Sequence, residues 1–281
     1  MAFAQRGLYG LLMIWTLVGC HRPNNAETTV ADRSARPPQT SLAHAAIENL
    51  QLVDGVENEM PPESTDLRVL FIGNSHSSPI PLLLTRIFKR QQPGLKTFIR
   101  SAPSFGFLVD HANSKKTLKL IRTGNWDFVV LQAQKYSTSG KYTYPTDGAL
   151  MLSKIATESG AKIVMYPEWS RQGVPEEYQR IKSIHNKIAK KTGAQVAPIG
   201  EAWETASATL DAKKLYAPDG NHASKQGSYL NACVFYSMIT GESPIQAAES
   251  KSRAFPKSYR DLEQAAWSAY SKQRSSESSK K

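Results

Sequence analysis

The chain has 281 residues with a formal net charge of +11 and 40% apolar residues, enough to bury the core of one sizeable α/β domain and too short for two full domains with tails. About half of the positive excess lies between Lys251 and Lys281, in a stretch poor in aromatics, so the charge describes a basic tail and not a nucleic-acid-binding face. Two cysteines, Cys20 and Cys233, exclude a disulfide framework once Cys20 is otherwise engaged.

Residues 1–19 read as an export signal: Arg6 supplies the positive charge, and Leu8 to Val18 form an apolar run too brief to span a bilayer comfortably. The run ends Leu17-Val18-Gly19-Cys20, which resembles the lipobox of bacterial lipoproteins. That resemblance implies lipidation of Cys20 and a protein held at a membrane of the cell envelope, facing the periplasm or the exterior. Each buried acyl methylene adds about 0.8 kcal/mol to such an anchor. An uncleaved anchor and an ordinary secretory signal are the alternatives. Residues 20–66, with Pro37-Pro38 and Pro61-Pro62, read as a tether with a short helix near Leu42–Leu50.

The ordered domain, residues 67–248, opens with a buried strand from Leu67 to Ile72 closed by Gly73. Helical spacing follows from Pro79 to Gln91, then a strand from Leu95 to Ile99 and a helix from Leu108 to Ile121. The run from Trp126 to Gln132 is almost wholly apolar, the pattern of a strand covered on both faces. A helix from Ala149 to Glu158, a strand from Ala161 to Tyr166, a helix from Pro175 to Lys191, a short strand from Gln195 to Ile199 and a helix from Glu201 to Leu210 continue the alternation. Ser224 to Thr240 forms the last helix of the domain, stopped by Gly241. Residues 249–281 form a basic helix and tail, with Leu262, Ala266 and Trp267 on one stripe that either packs on the domain or meets a membrane. This alternation predicts parallel βαβ crossovers and a three-layer α/β/α sandwich with a five-stranded sheet, which places ligands at the carboxyl ends of its strands.

Two segments carry chemistry. Gly73-Asn74-Ser75 ends the first strand, setting Ser75 at the rim of the sheet before a helix whose free N–H groups favour negative charge. Helix capping by Ser75, Ser77 and Ser78 is the other reading. Near the end of the domain, Asp219-Gly220-Asn221-His222 can fold the Asp219 carboxylate back onto the His222 imidazole, fixing its tautomer and leaving Nε2 to take a proton from a serine. A turn with a solvated histidine is the alternative there.

Together these segments resemble the first and last blocks of the SGNH (GDSL-like) hydrolases, in the branch with a Gly-Asn-Ser first block and an Asp-Gly-x-His last block. Trp126-Asp127-Phe128-Val129-Val130-Leu131-Gln132, the run from Gly227 to Tyr236, and Thr240-Gly241-x-Ser243-Pro244 look like the same branch. The resemblance implies a flavodoxin-like sandwich and a serine esterase without metal or organic cofactor. Its substrate would be a small acylated compound, often an acetylated saccharide. Carried over, Ser75 is nucleophile, His222 base and then acid, and Asp219 its orienter, with the Ser75 N–H, Gly106 and Gln132 or Gln134 forming the oxyanion hole. An O-acyltransferase on the same residues and a lipid-anchored binding protein with an inactive site are the alternatives. Trp169 and Arg171, after the fourth strand, are candidate contacts to a sugar ring and to a carboxylate or hydroxyl; packing of Trp169 with a surface Arg171 competes. His76 is expected to cap a helix at the surface, with lining the cleft beside Ser75 as the alternative, His185 to be solvated and Cys233 to be a buried structural thiol. His111 falls where the resembled branch often places a histidine after its second block, and whether it serves the site or only the structure stands open.

Overall fold

Five parallel strands hydrogen-bond in the order β2-β1-β3-β4-β5: β1 Leu67–Ile72, β2 Thr97–Ser101, β3 Phe128–Gln132, β4 Lys162–Tyr166 and β5 Gln195–Val196. The computed structural model describes residues 60–103, 105–132, 141–245 and 259–279. The export signal, Cys20, the tether, its short helix near Leu42–Leu50, Gln134 and residues 249–258 of the tail lie outside the described residues. Among those described, no helix is long and apolar enough to cross a membrane.

The strands alternate with helices α1 Ile80–Gln91, α2 Leu108–Ala112, α3 Lys115–Thr123, α4 Asp147–Glu158, α5 Glu177–Thr192, α6 Ile199–Ser207, α7 Lys225–Thr240 and α8 Arg260–Ser278. Successive strand residues point to opposite faces. Val69, Phe71, Val130, Val164 and Tyr166 therefore pack in one core with α1, α6, α7 and α8. Leu70, Ile72, Val129, Leu131 and Met165 form the other core with α2, α3, α4 and Ile188 of α5. The result is the three-layer α/β/α sandwich, with β3 central and β1 beside it, both covered on both faces.

The element boundaries differ from the sequence pattern where a local bond outweighs periodicity. Strand β2 begins two residues late, because the Leu95 N–H turns back to the Gln92 carbonyl and pairing with β1 starts at Leu67 opposite Thr97. The helix expected from Leu108 to Ile121 divides at Asn113–Ser114, where Ser114 Oγ accepts the Thr117 N–H and caps a new helix. Strand β5 ends at Val196 because Pro198 offers no N–H and Ile199 already opens α6.

The stripe of α8 packs on the domain: Leu262, Ala265, Ala266 and Ala269 are buried in the core shared with α7, and Trp267 is half-buried. One polar node joins three helices there. Arg90 of α1 meets Glu263 of α8 at 2.9 Å, and both side chains are at least 95% buried. Tyr229 of α7 accepts from Arg90 Nη1 at 2.9 Å and donates to Glu263 Oε1 at 2.6 Å, while Arg90 Nη2 also donates to the Pro244 carbonyl. Removing one member strands the other charge out of water. Glu263→Ala should thus lower the unfolding free energy by about 3–5 kcal/mol. In urea titrations the midpoint should fall at unchanged slope, and Arg90→Met combined with Glu263→Leu should regain much of the loss.

Candidate active site

The loop after β1 is built around a close approach. A Cβ on Gly73 would lie 2.5 Å from Gln132 Oε1, so only glycine lets β1 turn against the end of β3. Gln132, 1% exposed, accepts the Asn74 N–H on Oε1 at 2.8 Å and donates from Nε2 to Glu168 Oε1 at 2.8 Å. Asn74 in turn accepts the His76 N–H on its side-chain oxygen, and its carbonyl accepts from both the N–H and the hydroxyl of Ser77. Ser75 stands at the apex. Its own N–H meets no acceptor among the described residues.

The late loop is fixed just as closely. Gly220 takes a φ of 66°, a left-handed turn that folds Asp219 back over the following residues. Asp219 Oδ1 accepts the N–H groups of Asn221 and His222 at 3.0 and 2.9 Å, and Oδ2 meets His222 Nδ1 at 2.5 Å. Partial burial alone would raise the Asp219 carboxyl, but the His222 ring and these two N–H groups outweigh it and hold the group below its usual value. Ser224 then caps α7 through the Gln226 and Gly227 N–H groups.

The two loops meet: Ser75 Oγ lies 2.9 Å from His222 Nε2. With Asp219 on Nδ1, that nitrogen carries the proton and Nε2 is the acceptor for the Ser75 hydroxyl. Neither Ser75, Ser77 nor Ser78 caps α1, which begins after Pro79 with no side-chain cap; Ser77 Oγ bonds Asn74 and Ser75 Oγ bonds His222.

Other expected positions have different surroundings. The Gly106 N–H makes a long, 3.4 Å bond to the Gly73 carbonyl and so ties the loop after β2 to the β1 loop. Gln132, expected as an oxyanion donor, braces the Ser75 loop, with its carbonyl on Asn74 and one amide hydrogen on Glu168. Trp169 is not an exposed sugar platform: it is 1% exposed, stacks on Trp203 at 4.4 Å with the rings 4° apart, and donates from Nε1 to the Asn221 carbonyl. Arg171 is committed to Glu177, whose carboxylate takes its backbone N–H at 2.8 Å and its guanidinium at 2.7 and 2.5 Å. That pair pins the loop after β4 to the start of α5. His185, expected to be solvated, is fully buried with Nδ1 bonded to the Ile181 carbonyl one turn back. Cys233 is buried, and burial pushes its thiol up, which keeps it an unreactive core group.

For His76 the cleft alternative holds and the surface cap does not: it is buried beside His222, on which its ring stacks at 4.3 Å and 14°. Its one signal was its place directly after Ser75. Sequence reasoning missed Glu168, whose one signal was that it follows the carboxyl end of β4.

Fold and site together define a class: a parallel α/β/α sandwich with a Ser–His–Asp chain of contacts on the carboxyl rim of its sheet. The fold is shared with a DUF4886 family protein from Bacteroides uniformis, at a TM-score of 0.52 and 17% identity over 72% of this chain and 94% of that one. The chain is also similar to a candidate SGNH hydrolase from Slackia heliotrinireducens, with 24% identity over 62% of this chain and 98% of that one and a TM-score of 0.49. A psychrotrophic esterase, EstA from Pseudoalteromonas sp., gives 15% identity over 63% and 98% of the two chains and a TM-score of 0.47. No family model and no curated protein matches the chain.

His111 supports this site from below. It is 2% exposed, and its Nε2 lies 3.0 Å from the Gly73 carbonyl and its Nδ1 3.3 Å from Thr117 Oγ1. The carbonyl accepts only, so Nε2 carries the proton and the neutral Nδ1 accepts from Thr117. Burial chiefly holds the His111 imidazole below its usual value, against the opposing pull of the Gly73 bond and Asp110. The unfolded chain therefore takes up this proton first. The contribution of His111 is whole above its unfolded value of about 6.5 and falls as pH drops below it. The unfolding free energy of the wild type should accordingly fall more between pH 7 and 5 than that of His111→Asn, measured by urea titration at each pH.

Proposed function

We propose that this chain is a serine esterase of the SGNH type that hydrolyses an O-acyl ester, acetyl in the first instance, on a saccharide or other small alcohol. The observation that carries the reading is the unbroken path from Ser75 Oγ through His222 to Asp219, with contacts of 2.9 and 2.5 Å, at the strand ends where such sheets bind ligands. The shared fold and the motif resemblance support it; the choice of acetyl and saccharide rests on the motif resemblance alone.

In this reading His222 Nε2 takes the Ser75 proton as Oγ adds to the acyl carbonyl. Asp219 stabilises the imidazolium that forms and stays a carboxylate, as its lowered acidity range allows. The Ser75 N–H, which meets no acceptor among the described residues, receives the oxyanion, joined by the Gly106 N–H once its long bond to Gly73 is released. His222 then protonates the departing alcohol, and the acyl-Ser75 bond is cleaved by water through the same base. Anchoring through a lipidated Cys20, at the cell envelope, completes the proposal and comes from the sequence.

A fluorophosphonate probe should label the wild type at Ser75 and leave Ser75→Ala unlabelled, and the wild type should release acetate from acetylated sugars or p-nitrophenyl acetate. Transfer of the acetyl group to an added alcohol, in place of acetate release, would make it an acyltransferase. Absence of labelling and of turnover would make it a binding protein. Asp219→Asn should lower kcat about a hundred- to a thousandfold, less than a fully buried orienter, because the Asp219 side chain is 45% exposed and water replaces part of its role.

A further inference from the structure

A column of rings runs from the base into the core. His222 stacks on His76, His76 lies 5.4 Å from Trp169, Trp169 stacks on Trp203, and Trp203 meets Tyr216 edge-on at 4.9 Å. Hydrogen bonds close the column. Trp169 Nε1 holds the Asn221 carbonyl, directly before His222. Trp203 Nε1 donates to Asn231 Oδ1 at 2.7 Å, Asn231 donates to Tyr166 Oη at 2.9 Å, and the Tyr166 hydroxyl donates to the His76 carbonyl at 3.2 Å. Asn231 and Tyr166, the middle of this relay, are fully buried.

The mechanics of the base explain what such a column does. The donor and acceptor directions of imidazole Nδ1 and Nε2 lie in the ring plane, so the bonds of His222 to Asp219 and Ser75 resist motion within that plane. Neither resists displacement along the ring normal, which lengthens both contacts only slightly at first and then loses their alignment. A ring stacked at 4.3 Å and 14° closes one side of that direction. The same π face also attracts the positive charge that His222 acquires when it takes the Ser75 proton.

We propose that His76 is a positioning residue for His222, the terminal ring of a core-anchored aromatic column that keeps the base aligned between Ser75 and Asp219. The inference deepens the esterase reading and rests on it for its kinetic consequence. Its requirement is a flat aromatic face at position 76, and the imidazole nitrogens are not needed for it.

The test compares His76→Ala, His76→Leu and His76→Phe in the full chain, with p-nitrophenyl acetate and a fluorophosphonate as probes and melting temperature as control. His76→Phe should retain kcat and labelling rate within about threefold, while His76→Ala and His76→Leu lose about ten- to a hundredfold in both at nearly unchanged KM. Leucine keeps most of the volume, so it carries the comparison if alanine unfolds the loop. A second readout is independent of turnover: the low-field proton resonance of His222 Nδ1–H should persist in His76→Phe and broaden or vanish in His76→Leu. Kinetics in His76→Leu equal to wild type, or in His76→Phe as poor as in His76→Leu, would overturn the proposal. If the wild type neither labels nor turns over ester, the esterase reading falls; the proton resonance then decides the positioning role, supported if it follows the aromatic ring and overturned if it is the same in all variants.

Discussion

The 2.9 Å contact between Ser75 Oγ and His222 Nε2 joins residues 147 positions apart, and nearly every other feature of the molecule serves to make that distance short. Ser75 follows the carboxyl end of β1, and His222 lies just before α7, which packs with α1 on the same face of the sheet. A parallel sheet forces each chain segment to return to the same edge before starting the next strand, so loops distant in sequence gather on one rim. The contact then depends on rigidity. Helix α7 is held to α1 and α8 by the Arg90–Tyr229–Glu263 node and is buried all round from Gly227 to Ser237.

Polar groups inside the protein give the site its definition. Buried hydrogen bonds contribute modestly to net stability, but leaving one unmade is expensive, so a satisfied network admits few alternatives. Gln132 illustrates this. Its carbonyl must face the Asn74 N–H and its amide must face Glu168, and flipping that amide would set donor against donor on one side and acceptor against acceptor on the other. His111 works in the same way beneath Gly73. The Ser75 loop is thus braced from β3 and from α2, and the His222 loop from β4 through Trp169.

The elements that the sequence revealed are those whose signal is local. Strand β1 was legible to the residue because an apolar run met Gly73, the carboxyl end of α7 because Gly241 follows it, and that of α5 to within one residue because Gly193 follows it. The pairing of Asp219 with His222 was legible because both partners lie within one turn. Long-range packing left no such mark. His185 looks solvated from its polar neighbours, yet its own position on α5 faces the core. Trp169 and Arg171 follow a strand end, where ligand contacts are common, but one is claimed by Trp203 and the other by Glu177, partners visible only once the chain is folded. Gln132 occupied the block where an amide was expected. Its neighbour Glu168, 36 residues away, changes what that amide does.

Asp219 and His222 are the exception to this burial. Their side chains keep 45% and 27% of their surface exposed, whereas His76 and Trp169 behind them are almost fully enclosed. An exposed carboxylate interacts weakly with a charge through space, because water screens it. Orientation here must come from bonds with fixed geometry. Asp219 satisfies that demand with both oxygens: Oδ1 is clamped by two backbone N–H groups of its own turn, so Oδ2 has one direction left, toward His222 Nδ1. The turn geometry that Gly220 permits therefore does for this carboxylate what burial does for Gln132 and His111, and it does so while leaving this part of the rim open to solvent.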